Sequence, residues 1–224
     1  MLLIPDLPGA GKSTLDGATG MTGMAASVQE MLNHEGLETA VIAGHSMGGY
    51  VALAFAATWP EAVAGLALVH STPVADDEEK KQVRRKAIDI ILNGGKTAFI
   101  RQMVPNLFAA GFKQSHLSTV EQITEGCMKM NEESLANFYD AMIRRDDSSS
   151  RLINSDFPVQ WVLGAEDALM PVTKNMANCY LSNLNFVEVM DGVGHMSMIE
   201  SPQKLAACLS SFAGYCYDSS RRKK

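Results

Sequence analysis

Residues 39–58 read TAVIAGHSMGGYVALAFAAT, and their pattern is the most informative of the sequence. The apolar segment 39–43 predicts a buried strand, the glycine-rich segment 44–49 predicts a tight turn, and a helical pattern continues to about Thr58. Residues 44–48 fit G-x-S-x-G, in which a strand ends in a sharp turn that presents a serine hydroxyl at the start of a helix. Ser46 is therefore the candidate nucleophile.

The rest of the chain alternates between strand and helix signals on both sides of this turn. Short apolar runs predict further strands at residues 1–4, 63–69, 159–163 and 186–190. Helical spacing predicts helices at residues 21–34, which Gly36 ends, at 172–181 and at 202–213. Strands that alternate with helices favour an α/β fold with a mostly parallel sheet covered on both faces.

The pattern changes at about residues 75–151, where charge and helical periodicity dominate. Three or four helices are expected there, with breaks near residues 94–95, 105, 111, 131 and 148–150. We interpret residues 74–153 as a helical cap inserted into a core of residues 1–73 and 154–217. Residues 218–224 are polar and basic, which is typical of a flexible tail.

Composition and charge exclude several classes of protein. The 224 residues are 46% hydrophobic and 20% charged, as in ordinary globular domains. Nineteen basic against 25 acidic residues give a net charge of −6, which repels phosphate backbones and anionic lipid surfaces. We therefore expect no nucleic-acid partner and no membrane partner. Because no apolar run reaches the ~18 residues of a membrane span and no basic leader precedes one, a cytoplasmic protein is expected.

The four cysteines form no CxxC pair and no ligand spacing, which favours reduced thiols. Neither a metal nor a cofactor is indicated by the sequence.

A serine hydroxyl needs a base and a group that orients the base. His195 is the candidate base, because it follows the last predicted strand on a glycine-rich loop. His70 ends the third predicted strand and is a possible pocket residue. The acid is expected after the penultimate strand, where Glu166 and Asp167 are adjacent and Asp167 is preferred.

With these residues in place, the sequence resembles the α/β-hydrolase superfamily, in its cap-bearing branch of small esterases, lactonases and carbon–carbon bond hydrolases. The resemblance covers nearly the whole chain, including residues 5–13, which are similar to the family's D-x-x-G-x-G-x-S loop. It implies that Ser46, Asp167 and His195 are nucleophile, acid and base. It also implies that the Met47 N–H belongs to the oxyanion hole.

Gly11, Lys12 and Ser13 also suggest the phosphate-binding P-loop of nucleotide-binding proteins. That motif needs its first glycine at position 6, where Asp6 would repel phosphate. The spacing therefore excludes this alternative.

The superfamily places three strands before the loop that opens this sequence, and one of its connections carries a second oxyanion donor. We therefore expect an N-terminally truncated fold. Either the sequence is a fragment or an abbreviated gene product, or residues 1–4 pair directly with the strand of Val41 and Ile42. Weak turnover is expected, since loss of one oxyanion donor costs roughly 10²–10³ in rate. An exposed sheet edge favours self-association.

An apolar substrate pocket is expected between the cap and the strand ends. Its candidate residues are His45, Phe99, Met103, Phe108, Leu169 and Met196. Packing between cap and sheet explains each apolar member equally well. The sequence thus predicts a serine hydrolase that cleaves a small carboxylic ester, lactone or thioester through an acyl-enzyme. A carbon–carbon bond hydrolase and a non-catalytic protein that binds a ligand or partner remain alternatives.

Overall fold

A computed structural model describes residues 1–15, 20–153 and 155–222 of the chain, with side chains as far as Asp218. Its described strands form one parallel sheet in the order β1-β2-β3-β4. The strands are β1 (Ala40–His45), β2 (Val63–Val69), β3 (Val159–Gly164) and β4 (Asn185–Met190). The predicted parallel sheet and these four predicted strands are confirmed.

The register of the sheet brings the carboxyl ends of the strands together at one end of the sheet. His45 pairs with Val69, and Gly164 pairs with Met190. Ligands of open parallel sheets bind outside these ends, so the segments that follow the four strands are where a site is expected.

Both faces of the sheet are apolar, because alternate residues of a strand point to opposite faces. Leu66 and Leu68 lie in the main core with α1 (Gly20–His34) and α2 (Met47–Thr58). Ala67 packs on the opposite face against Phe212 of α11 (Pro202–Arg222). The predicted helices at residues 21–34 and 47–58 are confirmed. The last helix runs nine residues beyond its predicted end at Ala213, and Lys223 and Lys224 of the predicted tail lie outside the described residues.

The predicted cap region is helical, but its helices are shorter and more numerous than the three or four expected. Gly94 has a φ of 83° in a turn where a helix breaks, and the Asn131 side chain accepts a hydrogen bond from Ser134 N, which starts the next helix. The helices of this region are α3 (Glu78–Ile90), α4 (Lys96–Met103), α5 (Ala110–Ser115), α6 (Leu117–Met128), α7 (Glu132–Arg144) and α8 (Ser149–Ile153).

The region packs in two ways. One group of residues, including Ile91, Ile100 and Val120, forms a separate apolar cluster within the cap. Phe138 and Met142 of α7 instead join the main core. The seventh helix therefore joins the cap to the sheet layer.

The predicted strand at residues 1–4 is wrong. These residues have no regular secondary structure, and Met1, Leu2 and Ile4 are more than 80% exposed. A strand needs backbone hydrogen bonds to a neighbour, which a local apolar run cannot supply, and Pro5 has no N–H to extend a ladder. The predicted pairing of residues 1–4 with β1 is wrong for the same reason.

The loop after residue 4 is held by its own polar groups. The Asp6 carboxylate accepts a hydrogen bond from Lys12 N at 2.9 Å, and the Ser13 hydroxyl donates to the Asp6 carbonyl at 2.8 Å. Asp6 thus occupies an N–H that a phosphate-binding loop would offer to its ligand, which agrees with the rejection of a P-loop. Part of the predicted loop, residues 16–19, lies outside the described residues.

The predicted helix at residues 172–181 is only partly present. It comprises α9 (Val172–Asn175) and one 3₁₀ turn (Met176–Asn178). The Asn175 side chain donates to the Pro171 carbonyl, and the Asn178 side chain donates to Thr72 Oγ1. Asparagine side chains that bond to nearby backbone or to other loops compete with regular helix, which explains the early end.

None of the helices in the described part of the chain has the length and apolar character of a membrane-spanning segment.

β1 lies at one edge of the sheet, and we propose that this edge pairs with a second copy of the chain. Ala43 is exposed on this strand, so Ala43→Lys places a charge on the edge without disturbing the core. The molar mass of the wild-type protein by light scattering should rise with protein concentration, and Ala43→Lys should suppress that rise. Ala206→Lys, at an exposed position of α11, should behave as wild type. A monomer at every concentration contradicts the proposal.

Candidate active site

Ser46 occupies a strained turn between β1 and α2. Its φ is 50° and its ψ is −116°, a conformation that few residues other than glycine adopt. Its N–H donates to the Val69 carbonyl at 2.9 Å, and its carbonyl accepts from the Ser71 hydroxyl at 2.9 Å. Its own hydroxyl forms no hydrogen bond with another described residue, and it does not cap the helix. The turn thus holds the Ser46 backbone and leaves its hydroxyl free.

Two of the neighbouring glycines are required by close approach of the backbone. A Cβ at Gly44 would collide with the Gly48 carbonyl, and one at Gly49 would collide with the Ser71 side chain. A Cβ at Gly48 would meet nothing within 4 Å. The space that this turn needs therefore comes from Gly44 and Gly49.

Asp167 and His195 are joined by a hydrogen bond. His195 Nδ1 lies 2.7 Å from Asp167 Oδ2, and both side chains are buried. Glu166, the rejected alternative, is exposed. Because an ionised carboxylate only accepts hydrogen bonds, the proton lies on His195 Nδ1, and Nε2 of the neutral ring has a free lone pair.

The Asp167 carboxylate accepts four hydrogen bonds. Oδ2 accepts from His195 and also from His70 Nδ1 at 3.1 Å, while Oδ1 accepts from Leu169 N and Met170 N at 2.9 Å each. Burial alone would raise the pKa of Asp167, but the hydrogen bonds from His195, His70 and Met170 hold it well below its ordinary range. Asp167 is therefore a buried anion that can stabilise an imidazolium.

The backbone of His195 is held from two sides. Its N–H donates to the Leu107 carbonyl of the cap at 2.7 Å, and its carbonyl accepts from His45 Nε2 at 2.8 Å. His45 precedes Ser46, and its ring centroid lies 4.9 Å from that of His195. His45 thus brings the turn at Ser46 and the loop of His195 together. The structure contains no direct hydrogen bond between Ser46 and His195.

Glu200 ties the loop of His195 to the cap. Its carboxylate, on α10 (Ser197–Glu200), accepts from Gly194 N, Met196 N and Ala109 N at 2.8–3.1 Å. A Cβ at Gly194 would strike the backbone of residues 107–109, so this glycine is needed for the contact. The cap segment around Ala109 is thus part of the frame around His195.

The environment of His45 favours a neutral ring. Burial, followed by the nearby His195, lowers the pKa of His45 from 6.5 to about 3. As a neutral ring that donates from Nε2, His45 holds the His195 carbonyl.

The predicted pocket residues divide into three groups. Phe99, Met103, Phe108 and Met196 all belong to the apolar cluster of the cap, where Phe99 also contacts Tyr139 edge-to-face. Leu169 is half exposed and contributes its N–H to Asp167. His45 is the hydrogen-bond donor described above. Two cavities, of about 550 and 380 Å³, are lined by other residues. The role of these six side chains in binding substrate therefore stays a prediction.

His70, Asp167 and His195 are also a set whose metal-ligand atoms lie within 4.8 Å of one another. Both Nδ1 atoms already face Asp167 Oδ2 at hydrogen-bond distance. We therefore interpret the set as an acid with two imidazole donors.

Sequence reasoning missed the contacts of His70, Ser71 and Glu200. The position of His70 after a strand was a usable signal, since such residues gather at the carboxyl edge of the sheet. Glu200 and Ser71 have no motif, and only their contacts in the fold reveal them.

Known proteins support the fold and the general class. Residues 9–217 match the model of the Ndr family. A thermophilic esterase from Thermogutta terrifontis, solved with malate bound, superposes with a TM-score of 0.88 at 28% identity, over 95% of this chain and 79% of that one.

Two curated relatives are similar in sequence. A putative 2-succinyl-6-hydroxy-2,4-cyclohexadiene-1-carboxylate synthase from Bacillus subtilis (strain 168) is 28% identical over 200 residues, which are 85% of this chain and 72% of the relative. A putative carbamate hydrolase from Serratia proteamaculans (strain 568) is 26% identical over 111 residues, which are 50% of this chain and 41% of the relative. These similarities support a general α/β-hydrolase function and the α/β-hydrolase fold. Because the family model matches most of this chain, the chain belongs to the Ndr family.

Proposed function

We propose that this chain is a serine hydrolase that cleaves a small carboxylic ester, lactone or thioester through an acyl-enzyme. The observation that carries the proposal is the 2.7 Å hydrogen bond between His195 Nδ1 and Asp167 Oδ2. It lies at the carboxyl ends of the strands, where Ser46 occupies its strained turn. The similarity to an esterase supports the ester class of substrate.

In the proposed first step, Ser46 Oγ attacks the carbonyl carbon while His195 Nε2 takes the hydroxyl proton. Asp167 holds the opposite ring N–H and stabilises the imidazolium that forms. Met47 begins α2, so its N–H has no partner within the helix and can donate to the oxyanion. His195 then returns the proton to the leaving alcohol or thiol, which leaves an acyl group on Ser46.

In the second step, His195 removes a proton from water, and the hydroxide attacks the acyl carbon. Collapse of the tetrahedral intermediate releases the carboxylic acid, and the proton returns from His195 to Ser46. All protons move through Nε2 of one histidine, so its orientation by Asp167, Leu107 and His45 controls both steps.

A fluorophosphonate probe tests the nucleophile directly, because it labels an activated serine even when turnover is slow. The folded wild-type protein should be labelled, and Ser46→Ala should abolish labelling. Asp167→Asn should slow labelling by roughly 10³–10⁴-fold, since the ring of His195 loses its acceptor. Ser210→Ala, at an exposed serine of α11, is the matched control and should label normally. Unlabelled folded protein would favour the non-catalytic alternative.

Glu200 should couple the cap to His195. In Glu200→Gln, an amide NH₂ replaces one acceptor oxygen and faces backbone N–H groups, which should destabilise the fold by about 2 kcal/mol. Hydrogen exchange at Ala109 and His195 should become faster, and labelling of Ser46 should slow about tenfold. Glu121→Gln, at an exposed carboxylate of α6, should change neither measurement. Unchanged exchange at both amides in Glu200→Gln would disprove the coupling.

The low pKa of His45 predicts a specific loss of stability in acid. Between pH 6.5 and about 3, the unfolded chain binds a proton at His45 that the folded chain does not, so stability falls as pH decreases through that window. The expected loss from this residue is ~2 kcal/mol between pH 7 and pH 5. His45→Gln keeps a donor and cannot titrate, so its unfolding free energy should fall less over this range. Parallel pH curves for the two proteins would rule the interpretation out.

A further inference from the structure

His70 has features that its place after β2 does not require. It is fully buried, and its φ is 50°. Among the described residues other than glycine, positive φ values occur only at Ser46 and His70. Such a conformation is energetically unfavourable and persists where the surroundings determine it strongly, often at functional sites.

The contacts of His70 point to Asp167. Its backbone N–H donates to the Val162 carbonyl at 2.8 Å, which fixes the residue against β3. Its Nδ1 lies 3.1 Å from Asp167 Oδ2, the oxygen that also accepts from His195. The ring lies against Gly164, where a Cβ would come within 3.0 Å of His70 Cε1.

The protonation pattern follows from these contacts. Asp167 can only accept, so the His70 proton lies on Nδ1. His70 Nε2 is buried and has no hydrogen-bond partner among the described residues, and a proton there would lack an acceptor. The geometry therefore specifies the Nδ1–H form of His70.

We propose that His70 is a positioning residue of the hydrolytic site, which donates its Nδ1 proton to Asp167 Oδ2 and thereby limits the negative charge that Asp167 offers to His195. This proposal rests on the proposed serine-hydrolase function. Its consequence is that His70 sets the lower end of the pH range in which His195 can accept the Ser46 proton.

The direction of the effect follows from how one oxygen serves two donors. If the His70 donor is removed, Oδ2 serves His195 alone and stabilises its imidazolium more strongly. The other titratable groups around His195 stay in place: Asp167 and His45 face its ring, and Glu200 binds the N–H groups on either side of it. The rate of Ser46 labelling should fall on the acid side of its pH profile, where His195 becomes protonated. Without the His70 donor, this acid limb should therefore move to higher pH.

Two variants separate this role from simple packing. His70→Phe keeps a ring and removes the donor, whereas His70→Asn keeps an amide N–H close to the position of Nδ1. The pH dependence of Ser46 labelling should show the acid limb of His70→Phe about one pH unit higher. His70→Asn should retain the wild-type limb, and His34→Asn, at an exposed histidine, is the control. A packing role predicts lower stability in both His70 variants with no shift of the limb, and that result would overturn the proposal.

A second measurement needs neither activity nor a His70 variant. Nitrogen-15 spectra of histidine-labelled wild-type protein report which ring nitrogen carries the proton. The expected result is Nδ1–H for both His70 and His195, and an Nε2–H form of His70 would overturn the proposal. If the protein does not react with the probe, the proposed hydrolase function fails, while these spectra still decide whether His70 donates to Asp167.

Discussion

The buried charge of Asp167 is the constraint on which the site depends. An ionised carboxylate inside a protein is costly unless donors surround it, and here four donors do so. They come from the segments that follow β2 and β4, through His70 and His195, and from the loop of Asp167 itself. The parallel sheet places these three segments at one edge, so the same topology that forms the core also supplies the partners of the acid.

The contacts of His195 give the cap a structural role in the site. Its N–H binds the Leu107 carbonyl, and Glu200 joins the adjacent N–H groups to Ala109. A cap that moved as a free lid would break these hydrogen bonds. Each hydrogen bond to a charged acceptor such as Glu200 contributes roughly 1.5–3 kcal/mol to stability. Residues 107–109 therefore belong to the rigid part of the site.

Local signals predicted much of this architecture, and contacts between distant segments account for the rest. β2 was predicted at its observed limits because its seven residues are an uninterrupted apolar run between a proline turn and a histidine. Asp167 was preferred to Glu166, and the structure buries Asp167 and exposes Glu166. The prediction of a strand at residues 1–4 was wrong because an apolar run does not specify a strand to pair with. Glu200 was missed because it belongs to no motif, and because Ala109, its donor in the cap, is 91 residues away in sequence.

The two strained residues of the described chain belong to one hydrogen-bonded unit. Ser46 N donates to the Val69 carbonyl, directly before His70, and the Ser71 hydroxyl, directly after His70, donates to the Ser46 carbonyl. Each turn thus holds the other in a backbone conformation that neither sequence favours alone. Because β1 and β2 are paired in register up to His45 and Val69, the strain at both positions is balanced by the sheet. A change that loosens this pairing should therefore relax the turns of Ser46 and His70 together, which makes the register of two strands part of the site's geometry.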